Sequence, residues 1–121
     1  MRGIRRYLPQ LLTIKLSMST TLYRLARVLK QRKSADPENS YVADLYSRGM
    51  NAILKKIGEE TAEVIMSAKD GDRRAIVHEI ADLWFHTLVL LIHQGLEPDM
   101  VIEELEKRFG TSGLVEKANR P

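Results

Sequence analysis

Apolar residues recur at three- and four-residue spacing through most of the chain, and no stretch alternates with the period of two that marks a half-buried strand. Leu22, Leu25, Ala26 and Leu29 follow Ser19, a suitable N-cap, and lead into the basic run Lys30 to Lys33, which predicts a first helix. Ser34 to Asn39 has loop chemistry. Ser40 then caps a short helix through Tyr41, Leu45 and Tyr46 that stops near Gly49. A long helix is predicted from Asn51 to Asp70, closed by Gly71-Asp72, and another from Arg73 to Gln94, with Gly95 just beyond its end. Pro98 opens a last helix through Phe109. The fold class is therefore all-α, with residues 1–18 a basic extension, 19–109 the domain and 110–121 a frayed tail.

The two long helices carry carboxylates where an apolar face should be. At about 100° per residue, Ile53, Ile57, Val64 and Ala68 fall in one stripe, broadened by Leu54 and Ile65, and Glu60 lies inside it. Lys56 and Glu63 border that stripe, and Glu59 lies farther round. On the next helix, apolar residues from Ile76 to Ile92 cover most of the circumference, which predicts a mostly buried helix. Its polar stripe gathers Glu79, Asp82, His86 and His93 within about 60° of arc. An E-x-x-E pair alone is ordinarily a solvated face. Two acidic pairs on consecutive core-flanking faces call for another reading, because a buried unpaired charge costs several kcal/mol or is neutralised. If the helices pack antiparallel, Glu60 and Glu63 face Glu79 and Asp82. A hard divalent cation would relieve their repulsion. Oxygen-only ligands suit Mg²⁺, with Mn²⁺ the next candidate.

Composition narrows the setting. The 121 residues, 44% apolar and 29% charged, make one modest domain, and a helical chain this small often completes its core by oligomerising. It has no cysteine, which excludes disulfide frameworks, Cys-ligated metals and thiol catalysis and leaves a reducing cytoplasm as the default. The chain shows no uninterrupted apolar run of the roughly 20 residues that a bilayer span needs, so no membrane partner is expected. The net charge of +3 is unevenly placed: residues 1–33 hold nine Lys/Arg and no acid, and the remainder ten Lys/Arg against sixteen Asp/Glu. The basic character therefore belongs to one end of the chain, and nucleic acid is not an expected partner. Met18 stands directly before the first helix-start signal. Residues 1–17 thus read as sequence upstream of the true start, a disordered arm or an extra helix.

The run Lys55-Lys56-Ile57-Gly58-Glu59-Glu60-Thr61-Ala62-Glu63-Val64, followed by Glu79-Ile80-Ala81-Asp82-Leu83-Trp84-Phe85-His86, resembles the phosphoribosyl-ATP pyrophosphatase family of histidine biosynthesis. Its E-E-x-x-E and E-x-x-D pairs are shared with the wider MazG-like all-α nucleoside triphosphate pyrophosphohydrolases. Asp36-Pro37 through Ser40-Tyr41-Val42 and Leu90 to Leu96 are similar to the histidine-pathway branch, and the likeness spans Thr20 to Arg108. It implies hydrolysis of phosphoribosyl-ATP to phosphoribosyl-AMP and pyrophosphate in a helical bundle completed by homodimerisation. By position, Glu60, Glu63, Glu79 and Asp82 would hold Mg²⁺, and Glu59 would be a further ligand or orient the attacking water. Lys56 is the leading phosphate contact and Lys55 the next. Arg48 and Asn51 precede the site and could reach ribose or phosphate, and His86 is either a substrate contact, a hydrogen-bond partner behind Asp82 or a satisfied core histidine.

Other readings are weaker. No G-x-x-x-x-G-K-[ST] occurs, so no P-loop is available. Di-iron bundles carry E-x-x-H pairs, whereas Glu63 is followed three residues on by Met66 and Glu79 by Asp82. A housekeeping MazG-like enzyme acting on ordinary triphosphates would use the same carboxylates and differ only in substrate.

Overall fold

The computed structural model describes residues 20–109 and Arg120. The Ser19 cap, the 1–18 extension and most of the 110–121 tail lie outside the described residues. Helix α1 covers 20–31 and runs into a single 3₁₀ turn at Arg32–Ser34. Then follow α2 (Tyr41–Arg48), α3 (Met50–Asp70), α4 (Arg73–His93) and α5 (Pro98–Glu106). No strand occurs among the described residues, and the all-α expectation holds.

Side-chain caps and glycines set the helix boundaries. The Ser40 hydroxyl accepts from the Ala43 N–H at 3.1 Å, and the Asp72 carboxylate accepts from the Ala75 N–H at 3.0 Å, so α2 and α4 each begin with an orphan donor satisfied. Gly49 sits at φ 89°, ψ −174°, a conformation essentially reserved for glycine, and lets α2 turn into α3 with no intervening loop. Gly71, in the left-handed region at φ 70°, ends α3, and α4 returns antiparallel beside it. The last helix is shorter than expected: regular hydrogen bonding stops at Glu106, and residues 107–109 form a turn.

The core lies at one end of the α3–α4 hairpin. Ala26 and Leu29 of α1, Val42 and Leu45 of α2, Ile53 of α3 and Leu88, Val89 and Ile92 of α4 form the buried cluster. Tyr46 ties α2 to α1 by donating its hydroxyl to the Leu29 carbonyl at 2.9 Å, and its ring stacks on His93. Toward the Gly71 turn the hairpin runs past this core, and there the sequence-based expectations fail. Helix α4 is not mostly buried within one chain. Val77 is 70% exposed and Trp84 58%, because α3 covers only one side of this half of the helix. Leu54 and Ile65, expected to widen the buried stripe of α3, are likewise exposed.

The expectation about membrane-length segments also changes. With a mean hydropathy of 1.6, α4 is long and apolar enough to cross a bilayer by length and composition alone. Yet it carries Glu79 toward the α3 acids, holds Asp82 beside His78 and buries His86.

Two glycines give opposite expectations. Gly49→Ala should cost about 1–3 kcal/mol of backbone strain. Gly58 is helical and exposed, and a Cβ there would meet nothing within 4 Å, so Gly58→Ala should add about 0.5–1 kcal/mol. Urea unfolding of both variants checks the signs. Destabilisation by Gly58→Ala would show that something packs against that face.

Candidate metal centre

Halfway along the hairpin, the inner face of α3 continues from Ile53 and Ile57 to Glu60 instead of to another apolar residue. Glu60 is only 6% exposed. The antiparallel return brings Glu79 of α4 alongside, and carboxylate oxygens of Glu60, Glu63 and Glu79 all lie within 4.8 Å of one another. Oε2 of Glu60 and Oε2 of Glu79 are shut off from solvent with no hydrogen-bonding partner. Buried carboxylate oxygens that accept nothing are costly, and an arrangement of this kind suits a cation.

Titration reflects the crowding. Glu79 is pushed up to about 7, chiefly by hydrogen bonding with Glu63, then by desolvation and the Glu63 charge. Glu63 is correspondingly lowered, by its hydrogen bonds to Glu79 and then to Glu60. Crowded carboxylates resist ionising together, so the pair favours a proton on Glu79, which an incoming cation would displace.

The fourth acid stands apart. The Asp82 carboxylate points toward His78, with Oδ2 3.4 Å from Nε2, and these two form a second group with Glu79 within 4.8 Å. Glu79 is therefore common to both groups. The four-carboxylate set expected from sequence divides into Glu60–Glu63–Glu79 and His78–Glu79–Asp82, because Asp82 lies nearly a turn beyond Glu79 along α4. His78 was assigned no role from sequence. Its i,i+4 spacing to Asp82 was the signal that could have found it.

Cations flank the centre on one side. The Lys56 ammonium lies 3.3 Å from Glu59 Oε2 and 3.7 Å from Glu60 Oε1, and the hydrogen bond to Glu59 raises its pKa. This is the counter-charge that Glu60 requires, and it leaves Glu59 on the rim, half-exposed. Arg48 lies at the end of α2, paired with Asp44 at 3.4 Å. Lys55 and Asn51 are exposed and form no hydrogen bond or ion pair among the described residues, so the structure does not bring them into the cluster.

His86 has a defined position. It is 5% exposed, and its Nδ1, 2.8 Å from the Asp82 carbonyl oxygen, must donate there. A neutral ring then accepts at Nε2, from the Tyr41 hydroxyl at 2.7 Å. Both nitrogens are occupied, so His86 offers no free atom to a substrate and instead fixes Tyr41. Tyr41 was not among the candidate residues. It lines a cavity beside α1, and burial raises its hydroxyl pKa, an effect that the Lys56 charge opposes.

An all-α hairpin with clustered carboxylates, two of whose oxygens are buried and accept no hydrogen bond, beside a lysine has a make-up that suits a divalent cation together with a polyanion. Residues 22–109 match the family described as phosphoribosyl-ATP pyrophosphohydrolase. The chain is also 59% identical over 99 residues, 82% of its length and 94% of the relative's, to a protein of Methylococcus capsulatus named phosphoribosyl-ATP pyrophosphatase. The chain belongs to the phosphoribosyl-ATP pyrophosphohydrolase family and is an enzyme of that type.

The raised Glu79 makes a testable pH dependence. The folded chain holds the Glu79 proton more tightly than the unfolded chain, where a glutamate titrates near 4.5, so without metal Glu79 makes stability fall as pH rises from about 4.5 to about 7. Glu63 contributes oppositely, losing stability only as pH falls below 4.5. Urea melts in chelator across that range should show the decline, and Glu79→Gln should flatten it. An unchanged slope in the variant would place the titration elsewhere.

Proposed function

We propose that this chain hydrolyses phosphoribosyl-ATP to phosphoribosyl-AMP and pyrophosphate, a step of histidine biosynthesis in the cytoplasm, with Mg²⁺ held at the Glu60–Glu63–Glu79 cluster. The observation that carries the reading is the pair of buried carboxylate oxygens, on Glu60 and Glu79, that accept no hydrogen bond. Asp82 is assigned as the remaining acidic ligand, reached through Glu79, with which it shares the second group. Mn²⁺ has the same preference for oxygen and would substitute. When bound, the metal would supply positive charge to the phosphate oxygens and so offset the charge that develops on leaving pyrophosphate.

The chain's own residues do the rest. Lys56, held above the cluster by Glu59 and Glu60, is placed to share a phosphate oxygen and keeps its proton throughout. Glu59 is exposed at the rim and free to accept a hydrogen bond from the attacking water, whose oxygen forms the new bond to the α phosphorus as the bond to the bridging oxygen breaks. Arg48 lies close enough to influence Tyr41 and adds positive charge on the α2 side. Lys55 and Asn51 remain outer contacts for a substrate extending away from the hairpin.

The distal half of the hairpin supports a homodimer as the working form. Val77 and Trp84 on α4 and Ile65 and Met66 on α3 are exposed around the very segment that carries the acids. Apolar surface of this extent beside a functional site is characteristic of an interface. A second copy would cover it and keep water from the centre. Trp84→Glu should convert a dimer to a monomer in sedimentation equilibrium. A wild-type chain that is monomeric at micromolar concentration would remove this part of the reading.

The substrate assignment is tested by pyrophosphate release from phosphoribosyl-ATP and from a panel of ordinary triphosphates, with and without Mg²⁺. Phosphoribosyl-ATP should be strongly preferred and the reaction should stop in chelator. Glu60→Gln and Asp82→Asn should each lower kcat/KM by about a hundredfold or more while the fold stays intact, since each relieves repulsion. Preference for plain triphosphates, or near-wild-type activity in either variant, would contradict the assignment.

A further inference from the structure

One concavity on the described chain is separate from the acid cluster and has its own chemistry. It measures about 510 Å³ and lies between α1, the turn that follows it and the start of α2, with Leu25, Val28 and Phe85 among its apolar walls. That volume falls within the range of roughly 300–1,000 Å³ found for small-molecule sites, which are mostly apolar with a few placed polar groups. Here the placed groups are Arg32 and Asp36. The Arg32 guanidinium has no carboxylate or hydrogen-bond partner among the described residues, although Lys30, two positions earlier, pairs with Glu97. Asp36 is held rigidly: Oδ1 accepts from the Glu38 N–H at 2.9 Å and Oδ2 from the Asn39 side-chain amide at 3.0 Å. Each oxygen retains a lone pair.

Tyr41 joins the two regions. Its side chain lines the cavity, its hydroxyl is fixed by His86, and the charges of Lys56, Glu60 and Arg48 all act on it. A molecule bound with phosphates at the carboxylate cluster can therefore continue past Tyr41 into the cavity. The family's substrate needs such a second pocket. It carries a triphosphate at one end and, across the purine, a ribose with two hydroxyls and a phosphate monoester. A cluster that binds metal and triphosphate cannot distinguish it from ATP, since that part is common to both.

We propose that the cavity receives the phosphoribosyl end of the substrate, with Arg32 paired to the phosphate monoester and Asp36 accepting from the ribose hydroxyls. An arginine fork suits a phosphate, and a buttressed carboxylate suits a diol. The apolar walls with Tyr41 and Phe85 flank the purine. Selectivity for phosphoribosyl-ATP over ATP is then located here and catalysis at the hairpin. The proposal rests on the function assigned above, and its test separates the two.

Steady-state kinetics of Arg32→Gln, with Arg27→Gln as an exposed α1 control lying off the cavity, reads it directly. Arg32→Gln should raise KM for phosphoribosyl-ATP roughly tenfold or more with kcat little changed, as loss of a charged hydrogen bond to the ground state and transition state alike. Arg32→Lys should recover part of the loss, and Arg27→Gln should behave as wild type. Ribose 5-phosphate should inhibit the wild type competitively and Arg32→Gln far more weakly, while inhibition by magnesium pyrophosphate stays the same in both. An unchanged KM in Arg32→Gln, equal inhibition of both proteins by ribose 5-phosphate, or an equal effect of Arg27→Gln would overturn the cavity assignment and leave the function standing. A wild-type chain that releases no pyrophosphate from phosphoribosyl-ATP would overturn both.

Discussion

Three carboxylates pressed together between two helices repel one another, and most of the structure around them can be understood as the means of tolerating that repulsion. Glu60 lies on the inner face of α3, where the preceding positions on the same face, Ile53 and Ile57, are buried or half-buried apolar residues. It has one cationic neighbour in Lys56, at 3.7 Å, and one oxygen with no partner. Glu63 and Glu79 cannot easily ionise together, and hydrogen bonding between them raises Glu79 to about 7 and lowers Glu63. Both devices are incomplete, and the proposed divalent cation would complete them. The short Gly71–Asp72 connection forces the return of α4 along α3, so helix register alone brings the acids face to face.

The apolar core and the acid cluster divide the hairpin between them. Packing against α1 and α2 stabilises one end, where Leu45, Ile53, Val89 and Ile92 are almost fully enclosed. The other end is stiff because its helices are continuous with the packed end, yet it has little apolar cover of its own. This separation lets a costly charged seam exist in a small protein. The helices that carry the acids are anchored elsewhere, and the flank with Trp84 and Val77 stays exposed within the chain. His86 lies at the junction: Leu88 and Val89 follow it into the core, and Asp82 and Tyr41 are its hydrogen-bond partners on the side of the site.

Much of this could be read from sequence because the informative signals are local. The Ser40 cap, the glycines near helix ends and the apolar period of 3.6 are properties of a few neighbouring residues, and the helices begin and end within about three residues of expectation. The conflict between Glu60 and its apolar stripe was equally local, and it correctly marked the cluster. What failed depends on distance. A wheel shows that Asp82 and Glu79 share a face of α4, but not that the crossing of α3 meets Glu79 and leaves Asp82 beside His78. Nor does it show that α4, apolar around most of its girth, lacks neighbours to bury it. Tyr41 escaped notice because its importance comes from a bond to a residue 45 positions away.

The central claim is that Glu60, Glu63 and Glu79 are metal ligands in a single site. The direct measurement is anomalous X-ray scattering from crystals of the protein grown with Mn²⁺. One strong anomalous peak bonded to oxygens of all three residues, with Asp82 bonded to the same ion or to a neighbouring one through Glu79, is the result expected. Manganese absent from the hairpin in crystals at neutral pH would contradict it.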